Sequence, residues 1–399
     1  MSSFNNGGVI NRKKGSIVLF QHGIFGNEDS FTEAIAKLVK QAPNRHIAFP
    51  DTFINMNSFK KMGYNNTYLF ETPESQLEFN DTIKNIALFA KDHPNHNILV
   101  RTRLSGINKA DSIQNQKEKL ALIVRRLYDL IDGRPIVLVG HSQGGLVNME
   151  TALKCPSYID KIISLNTPFS VNSIGRTFFP IATFCHRFGI PLNAGIDTFD
   201  FKDDDVYHAL GTLVNFVYFA DLKKRWESAT NKPTAIALAG LAGVLTDKRY
   251  EYDSTFDGLV MVSDFQNIKV DKIHFFMEER PKCPDGWPEE WFWDKDYTNR
   301  CTFCREKCVF PKMSFVNTLG KAADQILDAL INDGINSILN GTKYEFKEIE
   351  IIKAINAGLN KTEYTGPEQT VYKIYSSKYN HLHIQTNSEV LTFLSGLLY

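Results

Sequence analysis

The chain has no surplus of charge. Its 45 lysines and arginines are balanced by 45 aspartates and glutamates, and no long basic run breaks that balance. The electrostatic footprint of a nucleic-acid-binding protein is therefore missing, as is that of a domain held on an anionic membrane. Long apolar runs are also missing. The most apolar stretch, Ala235 to Leu245, falls well short of the ~20 residues that cross a bilayer. Near the start, the apolar run Ile17 to Phe20 is short and leads straight into Gln21-His22-Gly23. It reads as a strand and not as a secretory signal. Cysteine is scarce, with six residues, and without a secretory signal a disulfide framework is not expected. Internal repeats and low-complexity segments are absent. These absences lead to the expectation of a soluble, cytoplasmic protein without nucleic-acid partners, for which brief contact with a membrane surface stays open.

What is present is ordinary globular composition, 43% hydrophobic and 23% charged over 399 residues. That length suits one large domain with insertions, or two domains. Residues 1–169 alternate short apolar runs with amphipathic segments. Ile17 to Phe20, Ile47 to Phe49, Ile98 to Val100, Ile136 to Val139 and Ile159 to Leu165 read as strands. Phe31 to Val39, Thr82 to Ala90, Ile113 to Ile131 and Leu146 to Leu153 read as helices. This alternation predicts an α/β fold with a mainly parallel sheet covered by helices, whose ligands bind beyond the carboxyl ends of the strands.

After Asn166 the pattern changes. Residues 170–250 mix aromatics, Gly, Pro and the acidic group Asp203 to Asp205, which suits a cap or lid. Within them, Val214 to Phe219 fits a strand or a cap helix equally. Residues 251–279 return to the core, with a strand at Ile273 to Met277. A second insertion spans 280–368 and includes a helix from Phe315 to Leu330. Residues 369–399 supply a last strand, Val371 to Tyr375, and a closing helix, Glu389 to Leu398.

The strand Ile136 to Val139 runs into Gly140-His141-Ser142-Gln143-Gly144-Gly145, and a helix follows. A G-x-S-x-G between strand and helix is the setting in which a serine hydroxyl is lifted above a sheet edge on a strained turn. The flanking glycines keep bulk away from that turn. Ser142 is the expected nucleophile. After the first strand comes Gln21-His22-Gly23-Ile24-Phe25-Gly26, where Gly23 permits a tight turn. The main-chain N–H groups of Ile24 and Gln143 are the expected oxyanion donors. His22 and His141 read as structural.

A serine hydroxyl needs a base, and the base needs a carboxylate to hold its tautomer. With the acid and then the histidine following the serine in the chain, His381 and His383 remain as bases. His381 is preferred because it comes first after the last strand and its turn. For the acid, Asp257 in Thr255-Phe256-Asp257-Gly258-Leu259-Val260 is chosen, with Asp253 as the alternative.

These segments together resemble the lipase and esterase branch of the α/β-hydrolase superfamily. The matching residues are His22-Gly23-Ile24-Phe25-Gly26, Gly140-His141-Ser142-Gln143-Gly144-Gly145, Asn166-Thr167-Pro168, Asp257-Gly258-Leu259-Val260 with Ser263, and His381 ahead of Val390. The resemblance covers the first part of the chain and two short later segments. It implies a Ser142–His381–Asp257 triad, Ile24 and Gln143 as oxyanion donors, and an ester substrate. The chain departs from small bacterial triacylglycerol lipases in its long segments between Thr167 and Asp257 and between Asp257 and His381. Insertions of this kind carry substrate identity, so the chemistry is better defined than the substrate.

The first long segment holds Phe178, Phe179, Ile181, Phe184, Phe188, Phe216, Tyr218 and Phe219. It reads either as an acyl-binding cap over Ser142 or as a second small core. The second holds Cys283 apart from Cys301, Cys304 and Cys308. Four thiolates can close a structural zinc site, but this spacing is not that of a zinc knuckle, and free thiols packed among Trp287, Trp291 and Trp293 are preferred. No other cofactor is expected. The expected function is hydrolysis of a small-molecule or lipid ester with a hydrophobic acyl group. A thioesterase or acyltransferase on the same triad is the alternative, ahead of a non-catalytic binding protein.

Overall fold

The computed structural model describes residues 14–23, 26–62, 67–105, 111–131, 133–170, 216–241, 243–247, 252–256, 267–278, 343–344, 368–374 and 384–398. The chain divides into two compact units. The first comprises Met1–Thr167, Ala220–Ala237 and Gln385–Tyr399, and the second Pro168–Phe219 and Leu238–Ile384.

The core of the first unit is a parallel sheet. Its strands are β1 (Ile17–Gln21), β2 (His46–Asn55), β5 (Asn97–Arg103), β6 (Ile136–His141) and β7 (Lys161–Leu165), with the first residues of β8 (Thr234–Leu241). A hairpin of β3 (Phe59–Met62) and β4 (Thr67–Phe70) lies between β2 and β5 in the chain. Across the sheet the order is β8-β7-β6-β1-β5-β2. β1 and β6 are buried along their whole length. Near-continuous runs such as Ile17-Val18-Leu19-Phe20 suit strands covered on both faces, because neither face offers water to a polar side chain.

β2 is longer than the apolar run that announced it. Its pairing with β5 shifts register between Ala48 and Phe53. Pro50 falls inside this shift, where it has no N–H to give to the ladder, so the strand bulges and resumes.

The helices of this unit begin where their capping residues stand. Thr72 caps α2 (Pro73–Asp92) through a reciprocal pair with Ser75, and Pro73 occupies the first turn. Ser112 caps α3 (Ile113–Tyr128), accepting from the Asn115 N–H at 3.1 Å. α1 (Thr32–Gln41) follows a 3-10 turn, Glu28–Phe31, capped by Asn27. α4 (Gln143–Lys154) packs on α3 and on β6. α5 (Phe216–Ser228) makes the described part of the run Val214 to Phe219, from Phe216 on, a helix; Val214 and Asn215 lie outside the described residues. From it, Arg225 grips the buried Glu150 of α4 with two hydrogen bonds, 2.6 and 3.0 Å. That pairing raises the Arg225 pKa, and a bidentate geometry of this kind fixes orientation as well as charge.

The run beginning at Ala235, grouped above with the cap, is strand β8 from Thr234 to Leu241. Ala235, Ala237, Leu238 and Ala239 are buried within the sheet, and residues of this kind would fill a cap as readily.

The closing helix α6 (Ser388–Leu397) packs on α1. Its start is capped by Asn387, and Lys37 donates to the Thr386 carbonyl at 2.8 Å. At its other end Asn97 donates to the Leu398 carbonyl at 3.3 Å, and Lys161 donates to that of Leu397.

In the second unit β11 (Lys272–Glu278) pairs in parallel with β13 (Glu368–Ile374). β9 (Gly243–Asp247) pairs antiparallel with β10 (Tyr252–Phe256) and with β12 (Lys343–Tyr344). The helix expected at Phe315 to Leu330 and the four grouped cysteines lie outside the described residues. Among the described residues, no helix is long and apolar enough to cross a membrane.

Candidate functional site

The chain order of the strands builds the site. From β1 the chain moves outward past β5 to β2, whereas from β6 it moves the opposite way to β7 and β8. β1 and β6 are neighbours, with Gln21 opposite Gly140 in register. A crevice opens at the carboxyl ends of strands where the winding reverses in this way. The segments leaving this pair are Gln21-His22-Gly23 and His141-Ser142-Gln143.

Ser142 sits at φ 52° and ψ −123°. This is left-handed backbone, which a residue with a Cβ rarely adopts and which costs on the order of 1–3 kcal/mol. Three features hold it there. Its N–H donates to the Leu165 carbonyl at the end of β7 (2.9 Å), and its carbonyl accepts from the Gly145 N–H (3.1 Å). The third is crowding by close neighbours. A Cβ on Gly140 would lie 2.5 Å from the Gly144 backbone, and one on Gly144 would lie 2.5 Å from the Gln21 carbonyl oxygen. The two glycines of the motif are thus needed for approach of backbone to backbone, not merely for flexibility. Ser142 precedes α4 at the N-cap position, yet its hydroxyl makes no capping bond. The turn directs that hydroxyl away from the helix amides that a serine at this position ordinarily satisfies.

Gly23 approaches from the other strand. A methyl there would come within 2.9 Å of Ser142 Cβ and 3.2 Å of His141 Nδ1. The loop after β1 therefore lies directly against the serine. His22 Nδ1 lies 2.8 Å from the Gly23 carbonyl oxygen. A carbonyl only accepts, so Nδ1 carries the proton. Burial chiefly holds the His22 pKa below the usual histidine value. The bond to Gly23 opposes this, while Arg103 and Lys119 add to it. A neutral, buried ring that braces its own turn agrees with a structural role.

Asn166, fully buried at φ 45°, and Thr167 follow β7. Gly145 leaves room for Thr167, whose side chain would overlap any Cβ at that glycine. Below the turn, Gln21 and Asn148 pair their side-chain amides at 2.6 Å, with the Asn148 amide oriented to accept from the Gly140 N–H at 3.1 Å. Gln143 is buried, and its side-chain oxygen accepts from Gln116 at 3.0 Å.

The structure thus brings together Ser142, Gln143, Gly23 and His22. Ile24, Asp257, His381 and His383 lie outside the described residues, and of Asp253 only its place in β10 is described. Among the described residues no group of His, Cys, Asp or Glu is arranged to hold a metal. Gln116 belongs to no sequence motif. Its signal was a polar residue three positions after Ile113 and four before Leu120, within the buried stripe of α3.

The α/β hydrolase fold family matches residues 16–181 of the chain. No curated protein matches it by sequence. Solved structures similar to it include the mature lipase BlEst2 of Bacillus licheniformis, which is 13% identical with a TM-score of 0.30, over 58% of this chain and 67% of that one. The product of the lin2722 gene of Listeria innocua is 16% identical with a TM-score of 0.35, over 62% and 75%. The phospholipase PlaB of Legionella pneumophila is 14% identical with a TM-score of 0.37, over 66% and 48%. Likeness at this level carries no statement about substrate. With a mainly parallel sheet, a strained serine turn between β6 and α4, and a glycine loop against it, the described core has the α/β-hydrolase fold.

Proposed function

We propose that the protein is a serine hydrolase that cleaves a carboxylic ester with a hydrophobic acyl group. The observation that carries this reading is the left-handed turn at Ser142, held against Gly23 at the carboxyl ends of β6 and β1. Nothing in the packing of a sheet requires a serine at φ 52°, and a backbone held in such strain is characteristic of a working site.

In this reading His381 takes the Ser142 proton as Oγ attacks the ester carbonyl carbon. The main-chain N–H groups of Ile24 and Gln143 hold the resulting oxyanion. Protonated His381 then gives its proton to the departing alcohol, leaving an acyl group on Ser142. Water, deprotonated by His381, releases the acid and restores the serine. Asp257 fixes the histidine tautomer and stabilises its cationic form. The order Ser142, Asp257, His381 along the chain supports these roles. The chemistry needs no cofactor. The many large apolar residues of segment 170–250 support a hydrophobic acyl group, and the balanced charge supports a reading without nucleic-acid partners.

A fluorophosphonate probe tests the reading on the wild type, Ser142→Ala, Asp257→Asn and His381→Ala. The expected result is labelling of the wild type, none of Ser142→Ala, and slow labelling of the other two. Persistent labelling of Ser142→Ala, or none of the folded wild type, would refute it. A series of p-nitrophenyl esters of rising chain length then tests the acyl preference, which fails if short and long chains are cleaved alike.

A further inference from the structure

Gln143 has two parts with separate tasks. Its main-chain N–H is the oxyanion donor in the reading above, on which this inference rests. Its side chain is 1% exposed and is held from α3. Gln116 Nε2 donates to Gln143 Oε1 at 3.0 Å and to the Asp111 carbonyl at 2.8 Å. Asp111 is itself fixed. Its carboxylate accepts from Lys119 Nζ (2.7 Å), the Ser112 N–H (2.8 Å) and Asn115 Nδ2 (2.9 Å). Lys119 reaches on to the Leu104 carbonyl beyond β5 (2.5 Å), and Tyr68 donates to Asn115 Oδ1 at 2.7 Å. Among the described residues, Gln116 is therefore the side chain through which this network, tied to β4, to the end of β5 and to α3, reaches the residue after Ser142. Gln143 Nε2 has no partner among the described residues, so the bond from Gln116 is the hydrogen bond that orients its amide there.

We infer that Gln116 is a positioning residue, which holds Gln143 so that its main-chain N–H points at the developing oxyanion. A buried network of this kind is rigid when fully bonded and poorly defined when one member is removed. Small misplacements of a catalytic donor cost rate and not substrate binding, because the oxyanion exists only beyond the ground state.

The test uses Gln116→Met and Gln116→Glu in the full chain. Fluorophosphonate titration gives the active fraction, and p-nitrophenyl ester turnover gives kcat per titrated site. For Gln116→Met, kcat per site is expected to fall about tenfold with KM unchanged. Gln116→Glu supplies a second, independent signature. When protonated, its carboxyl can donate to the Asp111 carbonyl and accept from Gln143 Nε2 after the amide turns, which restores the link. When ionised, it repels the Asp111 carbonyl. Its kcat should therefore approach that of the wild type at low pH and fall as pH rises, relative to the wild-type profile. A purely structural role predicts a smaller active fraction with kcat per site and pH profile unchanged, and that result would overturn the inference. Should Gln116→Met not fold, the pH profile of Gln116→Glu decides by itself. If the folded wild type neither labels nor turns over ester, the hydrolase reading fails and this inference with it. Failure of this inference alone shows instead as a fully active wild type with indifferent variants.

Discussion

Gly23 lies so close to Ser142 that a single methyl group on it would sit 2.9 Å from the serine Cβ. At Gly23 the loop after β1 is thus in direct contact with the turn after β6. A donor loop must approach in this way if its N–H groups are to reach an oxygen formed on the serine's substrate.

Gly23→Ala therefore forces the loop and the serine apart. The expected outcome is a folded protein whose ester kcat/KM falls by about 100-fold or more, the scale of losing an oxyanion donor. Circular dichroism and a thermal melt verify the fold while turnover is measured. Near-normal turnover would show that the loop's approach to Ser142 is incidental.

Ser142→Gly and Ser142→Ala should part company in stability. Both remove the hydroxyl and any probe labelling. Only glycine adopts φ 52° without a Cβ penalty, so Ser142→Gly should be the more stable of the two by roughly 1–3 kcal/mol in denaturant unfolding. Equal midpoints would mean that the turn stores little strain.

Arg134 is buried and donates to four main-chain carbonyls. Those of Gly15 and Ala90 lie at 2.5 Å, that of His93 at 3.1 Å, and that of His96 is also in contact. Burial pulls its pKa down to about 10, where it remains cationic at neutral pH. Arg134→Met keeps the apolar stem and strands these acceptors. A loss on the order of 3 kcal/mol in unfolding free energy is expected. Arg134→Lys should lose less, since an ammonium satisfies some of them. A shift of a few tenths would contradict this role.

Stability should also depend on pH through His46. Its Nε2 meets Ser395 Oγ of α6 at 2.7 Å, and Asn97 Nδ2 faces its Nδ1 at 3.3 Å. Burial above all, then Arg45 and His96, lowers its pKa from 6.5 to about 4. The folded protein thus refuses a proton that the unfolded chain accepts. The contribution is fully present above about pH 6.5 and is lost as pH falls toward 4. Thermal midpoints of the wild type should fall more steeply across that window than those of His46→Gln. Parallel curves would remove His46 as the cause.

Much of the frame was legible in the chain. The strands β1, β5, β6 and β7 stood out because strands buried on both faces must be apolar throughout. The serine turn stood out because only glycine tolerates the approaches found at Gly140 and Gly144. The hairpin of β3 and β4 escaped notice, since Phe59-Lys60-Lys61-Met62 presents one buried and three exposed residues and so has no apolar run. The strand character of β8 escaped notice because Ala235, Ala237, Leu238 and Ala239 are small or apolar residues that are buried in a sheet as they would be in a cap.

The sequence by itself determined a parallel α/β core and a tight serine turn at Ser142, because both rest on local constraints: hydrophobic period, and glycine where a Cβ cannot fit. Tertiary structure alone decided that β1 and β6 are neighbours, that Gly23 rests against Ser142, and that Gln116 holds Gln143 from 27 positions away in the chain. These are relations between distant segments. A chain order of strands does not state their spatial order, and a glutamine within a helix does not announce what its amide will meet.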